Sequence, residues 1–243
     1  MENLKKLWHT VFGDAPSIID AYFDTFYDEA LTAVEFVDGK LAAAAYVMPA
    51  GYLVNGERRE KCAHIYAVAV YPEFRGRGLG VSVTNKAVEL AEKAGFTAIV
   101  LHPAEDSLFG YYEKHCGFST CFSANIRAAS LAPSDSLKET DTKTYREKRE
   151  QLLQKIPHVD LSCEVLDFFQ KCGGKLYVSD ESCAAAESFD NMTYIREALG
   201  KTAEVPLSDN GKYTVCTVGE NIATGMIYGN RDFDNAWMGL TLE

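Results

Sequence analysis

Apolar and polar residues along the first part of the chain follow two different periods. From residue 4 to 12 and again from 18 to 26, apolar side chains recur every three or four positions, which predicts two amphipathic helices separated by Gly13-Asp14-Ala15-Pro16. Two apolar runs, at residues 33–37 and 41–47, then flank Asp38-Gly39, a pattern typical of a β-hairpin. A polar loop at residues 55–61 leads into a further strand at 63–70. The pattern therefore predicts two helices followed by a meander of three strands.

The strand at residues 63–70 runs directly into a glycine-rich turn. Residues 68–81 read V-A-V-Y-P-E-F-R-G-R-G-L-G-V, and a helical pattern follows from about residue 79 to 94, ending at Gly95. An apolar run at residues 96–101 predicts the next strand. Because a strand, a helix and a parallel strand form a right-handed crossover, we expect the strand at 96–101 to lie beside the strand at 63–70.

The glycine-rich turn has the features of an anion-binding loop. The first N–H groups of a helix have no intrahelical partner, the helix dipole favours negative charge, and glycine lets a ligand approach the backbone. Arg75 and Arg77 add two cations that match the geometry of phosphate. A P-loop is disfavoured because Gly80-Val81-Ser82 lacks the lysine, and a dinucleotide fingerprint would need glycine at position 81. An ordinary strand-to-helix turn with solvent-facing arginines remains the alternative.

The order of motifs between residues 65 and 118 resembles that of the GCN5-related N-acetyltransferase (GNAT) family. Arg75-x-x-Gly78-x-Gly80 is similar to motif A, whose loop holds the pyrophosphate of coenzyme A, and a tyrosine pair followed by Gly117-Phe118 is similar to motif B. The resemblance implies an α+β fold with a mixed sheet, in which two parallel strands splay apart around the pantetheine arm. The cofactor-binding residues that it implies are Val68, Ala69 and Val70, through their main chain, and Arg75, Gly76, Arg77, Gly78, Leu79, Gly80 and Val81 in the loop.

The same resemblance implies transfer of an acetyl group from acetyl-CoA to an amine. Such a reaction needs a base for the amine, donors for the oxyanion and an acid for the leaving thiolate. The family commonly uses a motif B tyrosine as the acid, which points to Tyr112, but four residues separate it from Gly117 where the family has three. The extra residue leaves Tyr111 as an alternative, and both tyrosines could instead serve packing. No base is assigned among His64, His102 and Glu105, the last of which is expected in the first turn of a helix.

Composition narrows the environment and the partners. The 243 residues carry a formal net charge of −11, which argues against nucleic acid as a partner and is compatible with a cationic amine. The first residues lead into no apolar signal segment, and no apolar stretch approaches the roughly 20 residues that span a bilayer. Seven cysteines without a C-x-x-C pair favour reduced thiols over a zinc site or a disulfide framework. These features predict a cytoplasmic protein that uses no metal and binds no membrane.

A change of composition divides the chain into two predicted domains. Residues 1–129 form the acetyltransferase domain, residues 130–144 are rich in Ser, Asp, Pro, Lys and Thr and predict a linker or exposed loop, and residues 145–243 form a second α+β domain. Residues 34–46 and 176–188 align without gaps and share an aspartate at the turn and three alanines. We interpret the second half as a degenerate GNAT-like repeat that lacks the Arg-x-x-Gly-x-Gly loop and binds no coenzyme A. Chance similarity between two alanine-rich strands is the alternative.

This arrangement of two halves is similar to that of the bacterial acetyltransferases of the enhanced-intracellular-survival type, which continue into a further domain for which this chain is expected to be too short. The resemblance implies an N-acetyltransferase that acts on a primary amine of a small molecule or peptide. The second half would wall the acceptor cleft and could also build a homodimer interface. Two other functions remain open: an acyltransferase that uses a longer acyl-CoA, and a non-catalytic regulator that binds coenzyme A or acetyl-CoA.

Overall fold

The chain divides into two compact units. A computed structural model describes residues 1–131, 136–189, 192–200, 211–229 and 235–240. The first unit comprises residues 1–51, 60–120 and 226–230, and the second comprises residues 52–59, 121–225 and 231–243. No helix in the described ranges combines the length and apolar character needed to cross a membrane. The seven cysteines all lie in these ranges, and no disulfide joins them.

The first unit begins with the two helices that the sequence predicts, α1 (Glu2–Phe12) and α2 (Pro16–Phe26). Gly13 ends α1 in the left-handed conformation, with φ at 77°, and Pro16 stands at the first turn of α2, where its missing N–H costs nothing. The buried faces of the two helices meet through Trp8 and Tyr22, whose ring centroids lie 4.9 Å apart. The predicted helix pair is therefore confirmed.

Four strands of the first unit follow in the order β1 (Thr32–Val37), β2 (Lys40–Asn55), β3 (Arg58–Val70) and β4 (Ala98–Leu101). β1 and β2 pair antiparallel around Asp38-Gly39, as predicted. The predicted polar loop at residues 55–61 is wrong, because β2 extends to Asn55, β3 begins at Arg58, and only Gly56 and Glu57 lie between these two strands. Strand pairing gives the backbone of this polar stretch hydrogen-bond partners while most of its charged side chains remain exposed.

Two helices complete the first unit, α3 (Leu79–Lys93) between β3 and β4, and α4 (Asp106–Cys116) after β4. α3 and α4 bury their apolar faces in one cluster with Ala43, Ala45 and Val47 of β2. Tyr46, between these residues, points to the opposite face of the sheet, where its ring centroid lies 5.3 Å from that of Trp8. The first unit therefore has helices on both faces of its sheet.

The rest of the chain supplies β5 (Phe118–Leu131), β6 (Lys138–Glu139), α5 (Thr142–Leu153), β7 (His158–Leu161) and α6 (Cys163–Lys171). β8 (Lys175–Val178), β9 (Ser182–Phe189), β10 (Met192–Gly200), β11 (Gly211–Val218) and β12 (Ile222–Tyr228) follow. The sequence predicts β5, α5, α6, β8, β9, β11 and β12 but misses β6, β7 and β10. The segment from residue 130 to 144 contains the end of β5, β6 and the start of α5, and residues 132–135 lie outside the described residues.

Strand order and direction in the second unit repeat those of the first. β8, β9 and β10 are neighbours and antiparallel, and β11 lies beside β10 and parallel to it. In the first unit β1, β2 and β3 are likewise successive neighbours, and β3 and β4 pair parallel, with Cys62 opposite Ala98. The two hairpins also share a register, because Val178 opposite Cys183 occupies the aligned place of Phe36 opposite Leu41. Each of these four-strand groups follows a pair of helices along the chain.

A buried ion pair distinguishes the second unit. Arg149 of α5 and Glu197 of β10 are both fully buried, and the Arg149 Nε donates to the Glu197 Oε1 over 2.8 Å. The Tyr145 hydroxyl and the Trp237 indole N–H also donate to the Glu197 carboxylate, each over 2.6 Å. A Cβ at Gly239 would collide with the guanidinium, so this position admits no larger residue without movement. Three donors thus satisfy one buried carboxylate.

Candidate functional site

The turn between β3 and α3 leaves its backbone open on one side. Gly76 and Gly78 both adopt left-handed conformations, with φ at 75° and 76°, which favour glycine over residues with a Cβ. Apart from the glycine and its chain neighbours, no atom of the described residues lies within 4 Å of the place that a Cβ would occupy at either position. A ligand can therefore approach the backbone closely at both glycines.

The first turn of α3 presents amide groups at the same place. Gly78 is the residue that caps the helix, and no side chain accepts a hydrogen bond there. The first intrahelical bond runs from the Ser82 N–H to the Gly78 carbonyl over 3.0 Å, so the N–H groups of Leu79, Gly80 and Val81 precede the helical ladder. Because these groups carry the positive end of the helix dipole, the turn is suited to a negatively charged ligand.

Both arginines of the loop are exposed and both contact neighbouring loop or strand groups. The Arg75 Nε donates to the Val70 carbonyl over 3.2 Å, which ties the loop to the end of β3. The Arg77 guanidinium lies 5.6 Å from the centre of the Phe74 ring. The alternative of a turn with solvent-facing arginines describes their exposure. Open left-handed glycines and helix starts without a side-chain cap also occur elsewhere in the chain, and this turn combines both features with two arginines.

β3 and β4 pair over a short parallel register, and β3 then continues beside β2 beyond the last residue that pairs with β4. The register runs from Cys62 opposite Ala98 to His64 opposite Val100, and β3 extends a further six residues to Val70. Ala67 interrupts the regular strand with φ at 47°, a conformation that costs free energy for a residue with a Cβ. The predicted main-chain contacts at Val68, Ala69 and Val70 therefore fall on the segment directly after this irregularity, which nothing in the sequence marks.

The two tyrosines of α4 occupy different environments. Tyr111 is partly buried, and the Val81 N–H at the start of α3 is near enough to its hydroxyl to lower the pKa of the phenol against the larger effect of burial. The same oxygen lies 2.8 Å from where a Cβ of Gly80 would stand. Tyr112 is 8% exposed and packs in the core beside Cys116 and Phe118. Burial raises the pKa of both phenols, so both stay protonated at neutral pH.

The role of Tyr112 as the proton donor stays a prediction. Among the described residues, its hydroxyl makes no hydrogen bond with the groups of the glycine-rich loop. The hydroxyl that reaches the glycine-rich loop is that of Tyr111, the alternative that the extra residue before Gly117 left open. Gly117 itself ends α4 with φ at 71°, so the added residue lengthens the helix without breaking it. Neighbouring helical residues lie about 100° apart around the axis, which is why two adjacent tyrosines face different surroundings.

The residues considered as bases have distinct placements. Glu105 is the N-cap residue of α4, one position before the first turn in which the sequence predicts it, and its side chain makes no capping hydrogen bond. His64 is buried near His102, and burial followed by the effect of His102 lowers the pKa of His64 to about 3. A neutral imidazole with so low a pKa is a weak proton acceptor. The geometry therefore assigns no base among these groups.

Comparison with known proteins gives matches in sequence and in fold. A family model described as an acetyltransferase (GNAT) domain matches residues 1–121. An uncharacterized N-acetyltransferase of Methanocaldococcus jannaschii is 48% identical over 44 residues, which are 18% of this chain and 19% of that protein. The match therefore spans about a fifth of the length of that curated relative.

The similar solved structures share the fold at low sequence identity. A GCN5-related N-acetyltransferase from Anabaena variabilis is 16% identical, with a TM-score of 0.70 over 93% of this chain and 69% of its own. Eis1 from Mycobacterium abscessus is 13% identical, with a TM-score of 0.57 over 97% of this chain and 70% of its own. A tandem GNAT protein from the clavulanic acid biosynthesis pathway is 13% identical, with a TM-score of 0.55 over 95% of both chains. Through residues 1–121, this chain belongs to the GCN5-related N-acetyltransferase family.

Proposed function

We propose that the protein is an N-acetyltransferase that transfers the acetyl group of acetyl-CoA to a primary amine. The observation that carries the proposal is the open glycine-rich turn at the start of α3, with Gly76 and Gly78 in left-handed conformations. In a chain of this family, such a turn fits the pyrophosphate of coenzyme A.

The loop residues would divide the work of holding the cofactor. The amides of Leu79 and Gly80 would face the pyrophosphate, and the guanidinium groups of Arg75 and Arg77 would add positive charge at the rim. Val81 differs from Leu79 and Gly80 because its N–H already interacts with the Tyr111 hydroxyl. We infer that the Tyr111 hydroxyl, rather than the Val81 amide, would offer a proton to the cofactor at this point.

The pantetheine arm would lie along the end of β3. The parallel register with β4 runs only to His64 opposite Val100, and Ala67 turns the backbone of β3 out of regular strand geometry. Main-chain groups of Val68 and Ala69 are the natural partners for the amides of the arm. The Val70 carbonyl already accepts from Arg75, so the contribution of Val70 would have to use its second lone pair or its N–H.

The reaction itself requires three changes of bonding. The amine nitrogen forms a bond to the thioester carbonyl carbon, the carbon–sulfur bond breaks, and the departing thiolate takes up a proton while the nitrogen loses one. Tyr112 remains our candidate for the proton donor and Tyr111 the alternative; both are protonated at neutral pH. Water-mediated loss of the amine proton is consistent with the lack of an assigned base among the residues considered.

The acceptor is proposed as a primary amine of a small molecule or peptide. The net charge of −11 favours a cation over a nucleic acid by simple attraction.

The second half is proposed as a degenerate repeat, with the domain boundaries at residues 129 and 145. Support comes from the matching order and direction of β8–β11 and β1–β4 and from the shared hairpin register.

Titration of acetyl-CoA into two variants of Gly78 tests the proposal. Both Asp and Asn tolerate the left-handed conformation that Gly78 adopts and differ in charge rather than size. We expect Gly78→Asp to abolish binding by placing a carboxylate against the pyrophosphate, whereas Gly78→Asn keeps much of the affinity. Equal affinities of the two variants and the native protein would refute the loop assignment.

Single-turnover measurements separate the proposed function from its alternatives. Release of thiol that accelerates with a panel of amines supports the transferase. Tight binding of acetyl-CoA without acceleration by any amine or by water would instead support the regulator. Faster turnover with a longer acyl-CoA than with acetyl-CoA would support the second enzyme.

A further inference from the structure

The second unit contains a cavity of about 500 Å³ at the carboxyl ends of its parallel strands. β10 contributes Ala198, Leu199 and Gly200, and β11 contributes Thr217 and Val218. Since β10 and β11 run in the same direction, with Tyr194 opposite Thr214, their carboxyl ends adjoin. The crevice outside such ends is where α/β sheets commonly bind ligands, and the volume lies within the range of small-molecule sites.

The place of this cavity corresponds to that of the proposed cofactor site in the first unit. There, the parallel strands are β3 and β4, and the proposed pantetheine contacts fall at the carboxyl end of β3. The connections differ, however. Residues 71–97 join β3 to β4 and include the glycine-rich turn and α3, whereas residues 201–210 join β10 to β11 and contain neither glycine nor arginine. The second unit thus keeps the crevice but has no counterpart of the pyrophosphate loop.

The lining of the cavity favours an uncharged ligand. Among the described residues that line it, none carries a charged side chain. The partly buried side chains of Leu152 and Ile156 give the cavity apolar surface, and Ile126 is 40% exposed. Bringing an ion into such surroundings without a partner would cost free energy, so a neutral molecule is the better fit.

Polar groups at the edge of the cavity can orient such a molecule. The Asn125 side chain donates to the Val218 carbonyl over 3.4 Å and accepts from the Asn221 N–H over 3.3 Å. A carboxamide has two N–H donors and can accept two hydrogen bonds, so these two bonds use half of its capacity. The two bonds orient the carboxamide, which lies directly against Gly219, where a Cβ would collide with it. The Thr217 hydroxyl adds a second polar group on the wall formed by β11.

We propose that this cavity binds a small uncharged organic molecule that has an apolar body and an amide or hydroxyl group. The apolar body packs on Leu152 and Ile156, and the polar group meets Asn125 and Thr217. The repeat-like half of the chain is therefore a ligand-binding unit with its own specificity. This inference does not depend on the acetyltransferase activity, because every residue that it uses lies in the second unit.

Fluorine NMR on the full chain, with coenzyme A present at saturating concentration, tests the proposal. The probes are para-fluorobenzamide and para-fluorobenzyl alcohol, with the charged analogues para-fluorobenzoate and para-fluorobenzylamine for comparison. Leu152→Trp fills the cavity from α5, and Gln151→Trp places the same side chain at the neighbouring exposed position, outside the lining. Thr217→Val removes one hydroxyl at nearly constant volume.

We expect saturable binding of the two neutral probes at one site per chain. Leu152→Trp should weaken this binding by about tenfold or more, Thr217→Val by about three- to tenfold, and Gln151→Trp by less than about twofold. Stronger binding of the charged probes, no saturable binding of either neutral probe, or equal binding to the Leu152→Trp and Gln151→Trp variants would each overturn the proposal. If Leu152→Trp fails to fold, the Thr217→Val result decides alone.

Discussion

An alanine at position 80 would place its Cβ 2.8 Å from the Tyr111 hydroxyl oxygen and 3.9 Å from its Cζ. The first distance is too short for a real contact, and the second is an ordinary one. Gly80 lies inside α3 and has no left-handed φ, so alanine is compatible with its backbone. The conflict is therefore confined to a single oxygen atom, and removing that atom by Tyr111→Phe should relieve it.

The expected energies follow from two opposing effects. Alanine in a helix interior is more stable than glycine by about 0.8–1.0 kcal/mol, and this is an upper value for Gly80, the second residue of α3. Displacing Tyr111 weakens the interaction of its hydroxyl with the Val81 N–H, at a cost of about 0.5–1.5 kcal/mol if that interaction is worth one hydrogen bond. In the native background, Gly80→Ala should therefore change the free energy of unfolding by between a gain of about 0.5 and a loss of about 1.5 kcal/mol. In the Tyr111→Phe background only the gain remains, and Gly80→Ala should stabilise by up to about 1.0 kcal/mol.

Urea unfolding of the four proteins measures this coupling as a double-mutant cycle. Gly110→Ala in α4 is the matched control, because no atom lies within 4 Å of its Cβ position and its φ is not left-handed. It should be stabilising by the same amount in both backgrounds. If the effects of Gly80→Ala and Tyr111→Phe add to within about 0.3–0.5 kcal/mol, the contact between the loop and Tyr111 does not exist as described.

Three further outcomes can be checked with single variants. Tyr112→Phe should lower turnover more than acetyl-CoA affinity, and a loss of turnover in Tyr111→Phe alone would transfer the role of proton donor to Tyr111. The lowered pKa of His64 means that the unfolded chain takes up a proton at higher pH than the folded one. Stability from the neutral imidazole is therefore present above pH 6.5 and lost as the pH falls towards about 3. Urea midpoints of His64→Gln should depend less on pH over this window than those of the native protein, and identical profiles would contradict this. Arg149→Met should cost about 3–5 kcal/mol in urea unfolding, because it leaves the Glu197 carboxylate buried without its cation; a cost below about 1 kcal/mol would mean that the carboxylate takes up a proton or reaches water.

Local patterns were enough to predict most helices and strands of the chain. The helix pair α1 and α2, the Asp38-Gly39 hairpin and the crossover from β3 through α3 to β4 each depend on contiguous residues with a clear period or a turn signal. β10 was missed for a physical reason. Its segment Tyr194-Ile195-Arg196-Glu197 carries a charged pair in mid-strand, and only the fold reveals that Arg149 neutralises Glu197. A buried charge whose partner lies 48 residues away leaves no local signal.

The candidate site divides in the same way. The loop could be predicted because its glycines and arginines are adjacent in sequence and their conformations are set locally. The environment of the two tyrosines could not, because one residue of helix turns a side chain by about 100° and the packing of α4 against α3 decides which phenol meets the loop. Ala67 illustrates the same limit, since its positive φ is imposed by the surrounding sheet on a residue that does not favour it.

The two units show that one strand order can accompany two different connections between the parallel strands. β1–β4 and β8–β11 share their order and directions, so the sheet by itself specifies no ligand. What differs is the connection between the two parallel strands. Residues 71–97 supply the glycine-rich turn, the start of α3 and two arginines, whereas residues 201–210 contain neither glycine nor arginine. Since the connection lies outside the strand ladders, changing it would remove the proposed pyrophosphate contacts without breaking a strand pair. The strand order and the proposed coenzyme A contacts therefore belong to separate segments, so a second unit with the same strand order could take the different ligand that we propose for it.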